Sequence, residues 1–313
     1  VVGEAISEMV RREYPGSAIT YEPGTLAGSL ARLLDGDAEV AIADPVSITL
    51  AGKGEPPFTR VYGKDDYGVV FRIVEGMGAY ILCRAEYCES HGVKSLTDVA
   101  QQKLPVRIAT TVKSNIITAR QVEAILAGYG ISEAGLNAWG GKLDYVPGST
   151  YAQRFADGQV DMIISVGFPP QLASRDLRFA QNTRAIMLPI ARRIVDHIAA
   201  ELGVETVVVP ATAYELLDED YYTTSVPIYL VARREVPPAL TYKLAKAIYN
   251  HFDYLKSVHA NFAQYRPSML VKSGGLPLHP GAARFFSEVG LLRASKGSAA
   301  AGEAAAPSRH RGE

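Results

Sequence analysis

Short apolar runs alternate along the chain with segments whose apolar residues recur at helical spacing. Runs that suit buried strands lie at 40–43, 69–74, 79–83, 106–109, 162–166, 207–209 and 226–232. Helical spacing is clearest at 122–129 and again at 240–252. Strands that alternate with helices in this way predict an α/β fold with crossover helices.

Two segments of the chain echo each other. Residues 32–42 read RLLDGDAEVAI and residues 154–164 read RFADGQVDMII, so both place a helix end, an Asp-Gly turn and a buried strand in the same order. Asp-Gly is a common turn, so one interpretation is a chance match. The other is a pair of lobes of similar build.

Both ends of the chain depart from the alternating pattern. Residues 2–10 have helical spacing, so the chain is expected to begin inside a helix, where an α/β lobe would normally begin with a strand. Residues 293–313 are rich in Ala, Gly and Ser and are predicted to form a disordered tail outside the fold.

Composition narrows the classes of function. A length of 313 residues suits two domains, and the 48% hydrophobic and 21% charged content is typical of a globular protein. The net charge of -1 gives no bulk attraction to nucleic acid or anionic lipid, so neither is expected as a partner. No apolar run approaches the roughly 18 residues of a membrane span, and the start lacks the zones of a signal peptide.

The chain contains two cysteines, Cys83 and Cys88. An extended segment of this length would hold their Cα atoms beyond disulfide reach, so pairing requires a turn between them, and two structural thiols are expected. No nearby pair of histidines completes a zinc site, so no metal or cofactor is expected.

Several polar segments stand where predicted helices begin. Thr25, after Gly24, is placed to cap the helix LAGSLARLL, and Ser114 and Asn115 open the helix that follows the strand ending at residue 109. Two further helix starts are predicted at 148–151 and 167–170.

Such helix starts can bind an anion, because their first backbone amides are unpaired and the positive end of the helix dipole lies there. In open α/β sheets the ligand edge is also where these helices begin. The alternative is that each polar residue caps its helix for stability alone. Capping explains any single segment, whereas the four together suggest a shared cleft.

Signals of catalysis are weak. The chain has no G-x-S-x-G, P-loop, complete G-x-G-x-x-G or H-E-x-x-H motif. Glu22 is the one possible base in the predicted loops. His279, in a proline-flanked loop, is predicted to lock that loop through a hydrogen bond rather than to act as a base.

The C-terminal stretch GLPLHPGAARFFSEVGL, residues 275–291, resembles the P-L-H-P-G-A…(Y/F)-(Y/F)-x-E-x-G-L ending of the TAXI group of TRAP-transporter solute-binding proteins. The resemblance extends back through VPIYLVARREVPPALTYKLAKAIY, ISVGFPP, KSLTDVA and GTLAGSLARLLDGDAEVAIAD. It therefore covers nearly all of the chain before the tail.

This resemblance implies a two-lobed type II periplasmic-binding-protein fold, with each lobe a mixed sheet flanked by helices. Two hinge strands are expected near 79–84 and 228–232. Lobe 1 would comprise 1–82 and 232–292, and lobe 2 would comprise 83–231. A periplasmic monomer without enzymatic activity is expected, which would bind a glutamate-like amino acid or another small carboxylate and deliver it to an ion-driven TRAP membrane permease.

Site residues follow from the same resemblance, except for Tyr151, which stands at the predicted helix start 148–151. The expected ligand-binding residues are Gly24, Thr25, Ser29, Lys113, Ser114, Asn115, Tyr151, Gly167, Phe168 and Pro169. Relatives usually read G-S-G-T in the second-lobe loop, where this chain keeps only the serine, Ser114. The resemblance also implies an opening strand and a glycine-rich turn before Val1, so either the sequence begins within a longer chain or this copy has lost part of the pocket.

Two alternatives belong to other classes of function. An enzyme could use the same two-lobed fold, but it would need a base beside its substrate. A ligand-sensing effector domain would need an attached DNA-binding or signalling segment.

Overall fold

The structure, a computed structural model, describes residues 2–17, 19–74, 76–168, 183–258, 262 and 265–292. The helices are α1 (Val2–Glu13), α2 (Leu26–Asp35), α3 (Pro45–Lys53), α4 (Ala85–His91), α5 (Leu96–Gln102), α6 (Ile116–Gly128), α7 (Glu133–Ala138), α8 (Gly148–Ala156), α9 (Arg192–Leu202), α10 (Pro238–Asn250), α11 (Phe252–Val258) and α12 (Pro280–Glu288). The strands are β1 (Val40–Ala43), β2 (Tyr67–Val74), β3 (Gly78–Arg84), β4 (Arg107–Thr110), β5 (Lys142–Tyr145), β6 (Met162–Phe168), β7 (Ala185–Leu188), β8 (Glu205–Val209), β9 (Tyr221–Ser225) and β10 (Ile228–Arg233). Each run predicted as a strand overlaps one of them, which confirms the α/β prediction.

The strands form three sheets. One is antiparallel, in the order β1-β10-β2, and a second is mixed, in the order β5-β4-β6-β3-β7. The third is the antiparallel pair β8-β9. In the mixed sheet β4 is parallel to β5 and β6, whereas β3 is antiparallel to both of its neighbours. The carboxyl ends of β4, β5, β6 and β7 therefore lie at one edge of that sheet.

The carboxyl-end edges of the two larger sheets adjoin. β1 and β2 are both antiparallel to β10, so they end at the same edge, at Ala43 and Val74. Four residues later Gly78 begins β3 opposite Phe168, the last residue of β6. We call the region between these two edges the junction. Open α/β sheets bind ligands at such strand ends.

The chain passes from the three-stranded sheet to the mixed sheet at 74–78, and from the strand pair β8-β9 to the three-stranded sheet at 225–228. The two crossings lie side by side and are joined by two backbone hydrogen bonds. The Met77 amide donates to the Val226 carbonyl at 3.0 Å, and the Val226 amide donates to the Met77 carbonyl at 2.8 Å. The crossings lie just before the two segments expected as hinge strands, which form β3 and β10 within the sheets.

Helices cover the sheets because their strands carry apolar side chains on both faces. Every residue of β2 and β3 except the last is buried. α10 and α12 pack on each other and on β2, α2 packs on β1, and α6 and α8 pack on the mixed sheet. Each fully buried aliphatic or aromatic side chain stabilises this arrangement by about 1.5–3 kcal/mol.

Cys83 and Cys88 form a disulfide, so the prediction of two free thiols was wrong. β3 ends at Arg84 and α4 begins at once with Ala85, so the chain turns between the two cysteines. Their Cα atoms are 6.4 Å apart, within the range of a disulfide.

The GLPLHPG segment is held against β2. The Val69 amide donates to the Pro277 carbonyl and the His279 amide donates to the Val69 carbonyl, both at 2.8 Å. The buried His279 ring places Nδ1 2.7 Å from the Thr241 hydroxyl on α10. A Cβ atom on Gly68 would lie 2.8 Å from the His279 Cα, so glycine permits this close approach. The hydrogen bond between His279 and Thr241 is the loop-locking bond predicted from the sequence.

Candidate functional site

Gly24, Thr25 and Ser29 lie together at the start of α2. The Thr25 hydroxyl accepts a hydrogen bond from the Gly28 amide at 3.1 Å, and the Thr25 carbonyl accepts one from the Ser29 amide at 2.8 Å. A Cβ atom on Gly24 would lie 3.6 Å from the Ser29 hydroxyl oxygen. Because α2 packs on β1 and joins it through a short connection, α2 runs antiparallel to β1 and begins on the side of the junction.

The start of α3, after β1, is already occupied by a carboxylate. Asp44 is fully buried, and its Oδ1 accepts hydrogen bonds from the amides of Val46 at 2.9 Å and Ser47 at 3.1 Å. Its Oδ2 accepts one from the Ser47 hydroxyl at 2.5 Å. Burial raises the pKa of Asp44 against the effect of these bonds. The amides of this helix start are therefore committed to Asp44 and are not free for a solute.

Lys113, Ser114 and Asn115 form an exposed loop between β4 and α6. The Asn115 side chain caps α6 by accepting a hydrogen bond from the Thr118 amide at 3.4 Å. The Lys113 ammonium lies 4.4 Å from the ring centroid of Tyr145, the last residue of β5. This cation–π contact directs Lys113 towards the carboxyl end of the neighbouring strand.

The remaining predicted residues come from α8 and β6. Gly167 and Phe168 end β6 at the junction, and a Cβ atom on Gly167 would lie 3.9 Å from the Tyr80 ring. Tyr151 is only 4% exposed, so its side chain is part of the hydrophobic core. Pro169 lies outside the described residues.

Three described helices begin at the carboxyl-end edge of the mixed sheet. α6 follows β4, α8 follows β5 and α9 follows β7. Asn115 caps α6 with its side chain, whereas the residues at the N-caps of α8 and α9, Pro147 and Ala191, make no side-chain cap hydrogen bond. The starts of α8 and α9 thus differ from that of α3, where a side chain takes up the first amides.

Beside the junction, two cavities separate α3 from the helices of the mixed sheet. The larger, of about 400 Å³, lies between α3, α6 and α9, and the smaller, of about 210 Å³, lies between α3 and the first half of α6. Leu50, Arg120 and Glu123 line both. Among the described residues that line them, Lys113 is the one predicted from the sequence.

Two polar contacts join α3 and its following turn to the other side of these cavities. Arg120 Nη2 lies 3.1 Å from Glu55 Oε2, and the Thr49 hydroxyl donates to the Leu202 carbonyl at 3.0 Å. Neither contact was predicted, because each joins residues more than sixty positions apart in sequence.

Glu22, the possible base predicted from the sequence, is exposed and lies in an ion pair. Glu22 pairs with Arg32, which lowers the pKa of the Glu22 carboxyl group through a hydrogen bond and its charge. In the described part of the chain, no group of three or more His, Cys, Asp or Glu side chains is arranged to hold a metal ion.

None of the described helices is both long and apolar enough to span a membrane.

Solved structures define the class of fold. MatC from Rhodopseudomonas palustris with bound malate is 14% identical, with a TM-score of 0.50 over 86% of this chain and 87% of that chain. PhnD1 from Prochlorococcus marinus in complex with methylphosphonate is 11% identical, with a TM-score of 0.54 over 93% of each chain. The fold is that of two-lobed type II periplasmic binding proteins, which confirms the predicted fold class.

The chain belongs to the NMT1-like family, whose model matches residues 1–290. The match leaves out all of the segment predicted as a tail, residues 293–313. The finer TAXI assignment rests on the motifs of the sequence.

Proposed function

We propose that this protein is an extracytoplasmic solute-binding protein of the TAXI group. It captures a small carboxylate or a glutamate-like amino acid between its lobes and delivers it to an ion-driven TRAP membrane permease. Its lobes are residues 1–82 with 232–292 and residues 83–231, and 293–313 lies outside them. The proposed solute contacts are Gly24, Thr25, Ser29, Lys113, Ser114, Asn115, Gly167, Phe168 and Pro169, whereas Tyr151 belongs to the core.

The observation that carries this proposal is the junction itself. Strand ends from two sheets adjoin there, and the helices α6, α8 and α9 begin on one side of it while α2 begins on the other. The first amides of a helix and its dipole favour a negative group. A carboxylate held between the helix starts on both sides of the junction would bind more tightly when the lobes are closed than when they are open. Hinge closure requires this difference in affinity.

Two further observations support the proposal. MatC holds malate and PhnD1 holds methylphosphonate, and both of these solutes are small anions. The Cys83–Cys88 disulfide suits an oxidising compartment such as the periplasm.

The test begins with native mass spectrometry of the full chain, which identifies an acid that co-purifies with it. Calorimetry then measures the affinity of that acid for the wild type and for Ser114→Ala. We expect at least tenfold weaker binding with an unchanged melting temperature of the empty protein. Ser90→Ala, at an exposed position of α4, is the matched control and should change neither quantity. Thr25 is less suitable because its hydroxyl caps α2.

Two outcomes would contradict the proposal. Equal affinity in the wild type and Ser114→Ala would remove Ser114 from the site. Conversion of the co-purified acid during incubation would favour an enzyme on this fold instead.

A further inference from the structure

A buried polar network adjoins the two crossings. Ala79, two residues after Met77, donates its amide hydrogen to the Thr224 hydroxyl at 3.2 Å. Its carbonyl accepts a hydrogen bond from the Thr223 hydroxyl at 2.6 Å. Thr223 and Thr224 lie on β9, just before the second crossing, and are 0% and 1% exposed. Side chains beside one crossing therefore bind both backbone groups of a residue beside the other.

The same network reaches α6. The Thr224 hydroxyl donates to the side-chain oxygen of Gln121 at 2.5 Å, and Gln121 is 0% exposed. The Gln121 amide group in turn donates to the Ile117 carbonyl at 3.2 Å, in the first turn of the helix. That turn follows the loop of Lys113, Ser114 and Asn115 directly.

Buried hydrogen bonds constrain motion because breaking one without replacing it leaves a polar group unsatisfied away from water. Thr224 is both acceptor and donor here, so a rotation that displaces Ala79 must either break one of its bonds or carry Gln121 along. The neighbouring residue, Arg120, binds Glu55 on the α3 side of the cavities. α6 is thus tied both to the crossings and to the opposite side of the junction.

We propose that Thr224 and Gln121 are positioning residues that couple movement at the crossings to the loop of Lys113, Ser114 and Asn115. The inference rests on the proposed function, because it takes that loop as part of the solute site. The link works in both directions: hinge movement shifts the first turn of α6, and a solute that orders this turn biases the hinge.

Hydrogen exchange of the ligand-free full chain tests the link. For each variant, amide exchange is measured at the end of the network opposite the substituted residue. Thr224→Val removes the hydroxyl, and we expect at least about fivefold faster exchange of the Thr118 and Ala119 amides, which Thr224 does not contact. Gln121→Leu breaks the link from α6, and the Ala79, Met77 and Val226 amides should exchange faster. Thr224→Ser keeps the hydroxyl and should behave as the wild type.

The matched control is Thr241→Val, which removes another fully buried threonine hydroxyl, bound to His279. It should leave exchange at both ends of the link unchanged. The coupling would be overturned if Thr224→Val and Gln121→Leu each sped up exchange only next to the substituted residue. It would also be overturned if Thr241→Val sped up exchange of the Thr118 and Ala119 amides or of the Ala79, Met77 and Val226 amides. If Thr224→Val does not fold, Gln121→Leu decides the matter alone.

A binding arm separates this inference from the proposed function. Calorimetry with L-glutamate should give roughly 5- to 20-fold weaker affinity in Thr224→Val than in the wild type, and near wild-type affinity in Thr224→Ser. A wild type that binds neither L-glutamate nor a co-purified acid would contradict the proposed function, while linked exchange would still support the coupling. Unchanged affinity in Thr224→Val would overturn the role of the network in solute binding.

Discussion

The guanidinium group of Arg72 binds both carboxylate oxygens of Glu205, with Nη1–Oε1 at 3.0 Å and Nη2–Oε2 at 2.8 Å. Arg72 lies on β2, and Glu205 begins β8, opposite Ser225 at the end of β9. Their side chains are 2% and 37% exposed. This ion pair therefore ties the three-stranded sheet to the strand pair that leads into the second crossing.

Removing the carboxylate should destabilise the protein, because it takes away the negative charge that faces a buried guanidinium group. We expect Glu205→Ala to lower the free energy of unfolding by about 2–3 kcal/mol, measured by urea denaturation. The double variant Arg72→Met/Glu205→Leu should recover much of this loss. Glu89→Ala, which breaks the exposed pair with Arg184, is the control and should cost less than about 1 kcal/mol. Equal losses from the two single variants would contradict the prediction.

The exposed pair between Glu55 and Arg120 should affect conformation more than stability. Because it joins the two sides of the cavities, Arg120→Met should favour the open arrangement, and small-angle scattering should give a larger radius of gyration for the empty protein. An exposed pair contributes at most about 1 kcal/mol, so solute affinity should fall by no more than about fivefold. Lys142→Met, whose partner Asp144 lies on the same strand, should change neither quantity. An unchanged radius in Arg120→Met would count against this role.

The predicted strands show what local pattern can reveal. Buried strands such as residues 69–74 and 79–83 can be predicted from the sequence because nearly every side chain in them is apolar. β9, by contrast, has the sequence YYTTS and was missed. Its Thr223 and Thr224 are buried through hydrogen bonds to Ala79 and Gln121, 144 and 103 positions away. Such partners become visible only once the chain has folded.

In the candidate site, too, features set by neighbouring residues could be predicted, whereas features set by distant contacts could not. Thr25 and Asn115 could be predicted as helix caps because a cap bonds to an amide three residues away. The burial of Tyr151 could not, since it depends on packing between α8 and the mixed sheet. Asp44 was missed, although an Asp-Pro step before a helix is a cap signal that local reading could have used.

The Cys83–Cys88 disulfide should contribute modestly to stability, because it closes a short loop. The loop-entropy relation gives about 2 kcal/mol for a ring of this size. Addition of reductant should therefore lower the melting temperature of the wild type, whereas Cys83→Ser/Cys88→Ser should melt at one temperature with or without reductant. Free-thiol titration of the unfolded, unreduced protein should detect no thiol. Two reactive thiols there would contradict the disulfide.

His279 should make the free energy of unfolding decrease as the pH falls below about 6.5. Burial, the largest cause, lowers the pKa of His279, and the charge of Arg234 acts in the same direction. The folded state therefore keeps the ring neutral where the unfolded chain, with a histidine pKa of about 6.5, takes up a proton. Stability from this group is complete above the unfolded-state pKa of about 6.5 and decreases as pH falls below it.

Urea denaturation at pH 8 and pH 5 measures this loss. His279→Asn places an amide near the position of Nδ1 and cannot titrate in this range, so it should lose less stability between the two pH values than the wild type does. His91→Asn, on the exposed end of α4, is the control and should retain the wild-type dependence. If His279→Asn loses as much stability as the wild type on acidification, proton uptake by the buried ring in the unfolded chain does not drive the effect, and other groups must account for it.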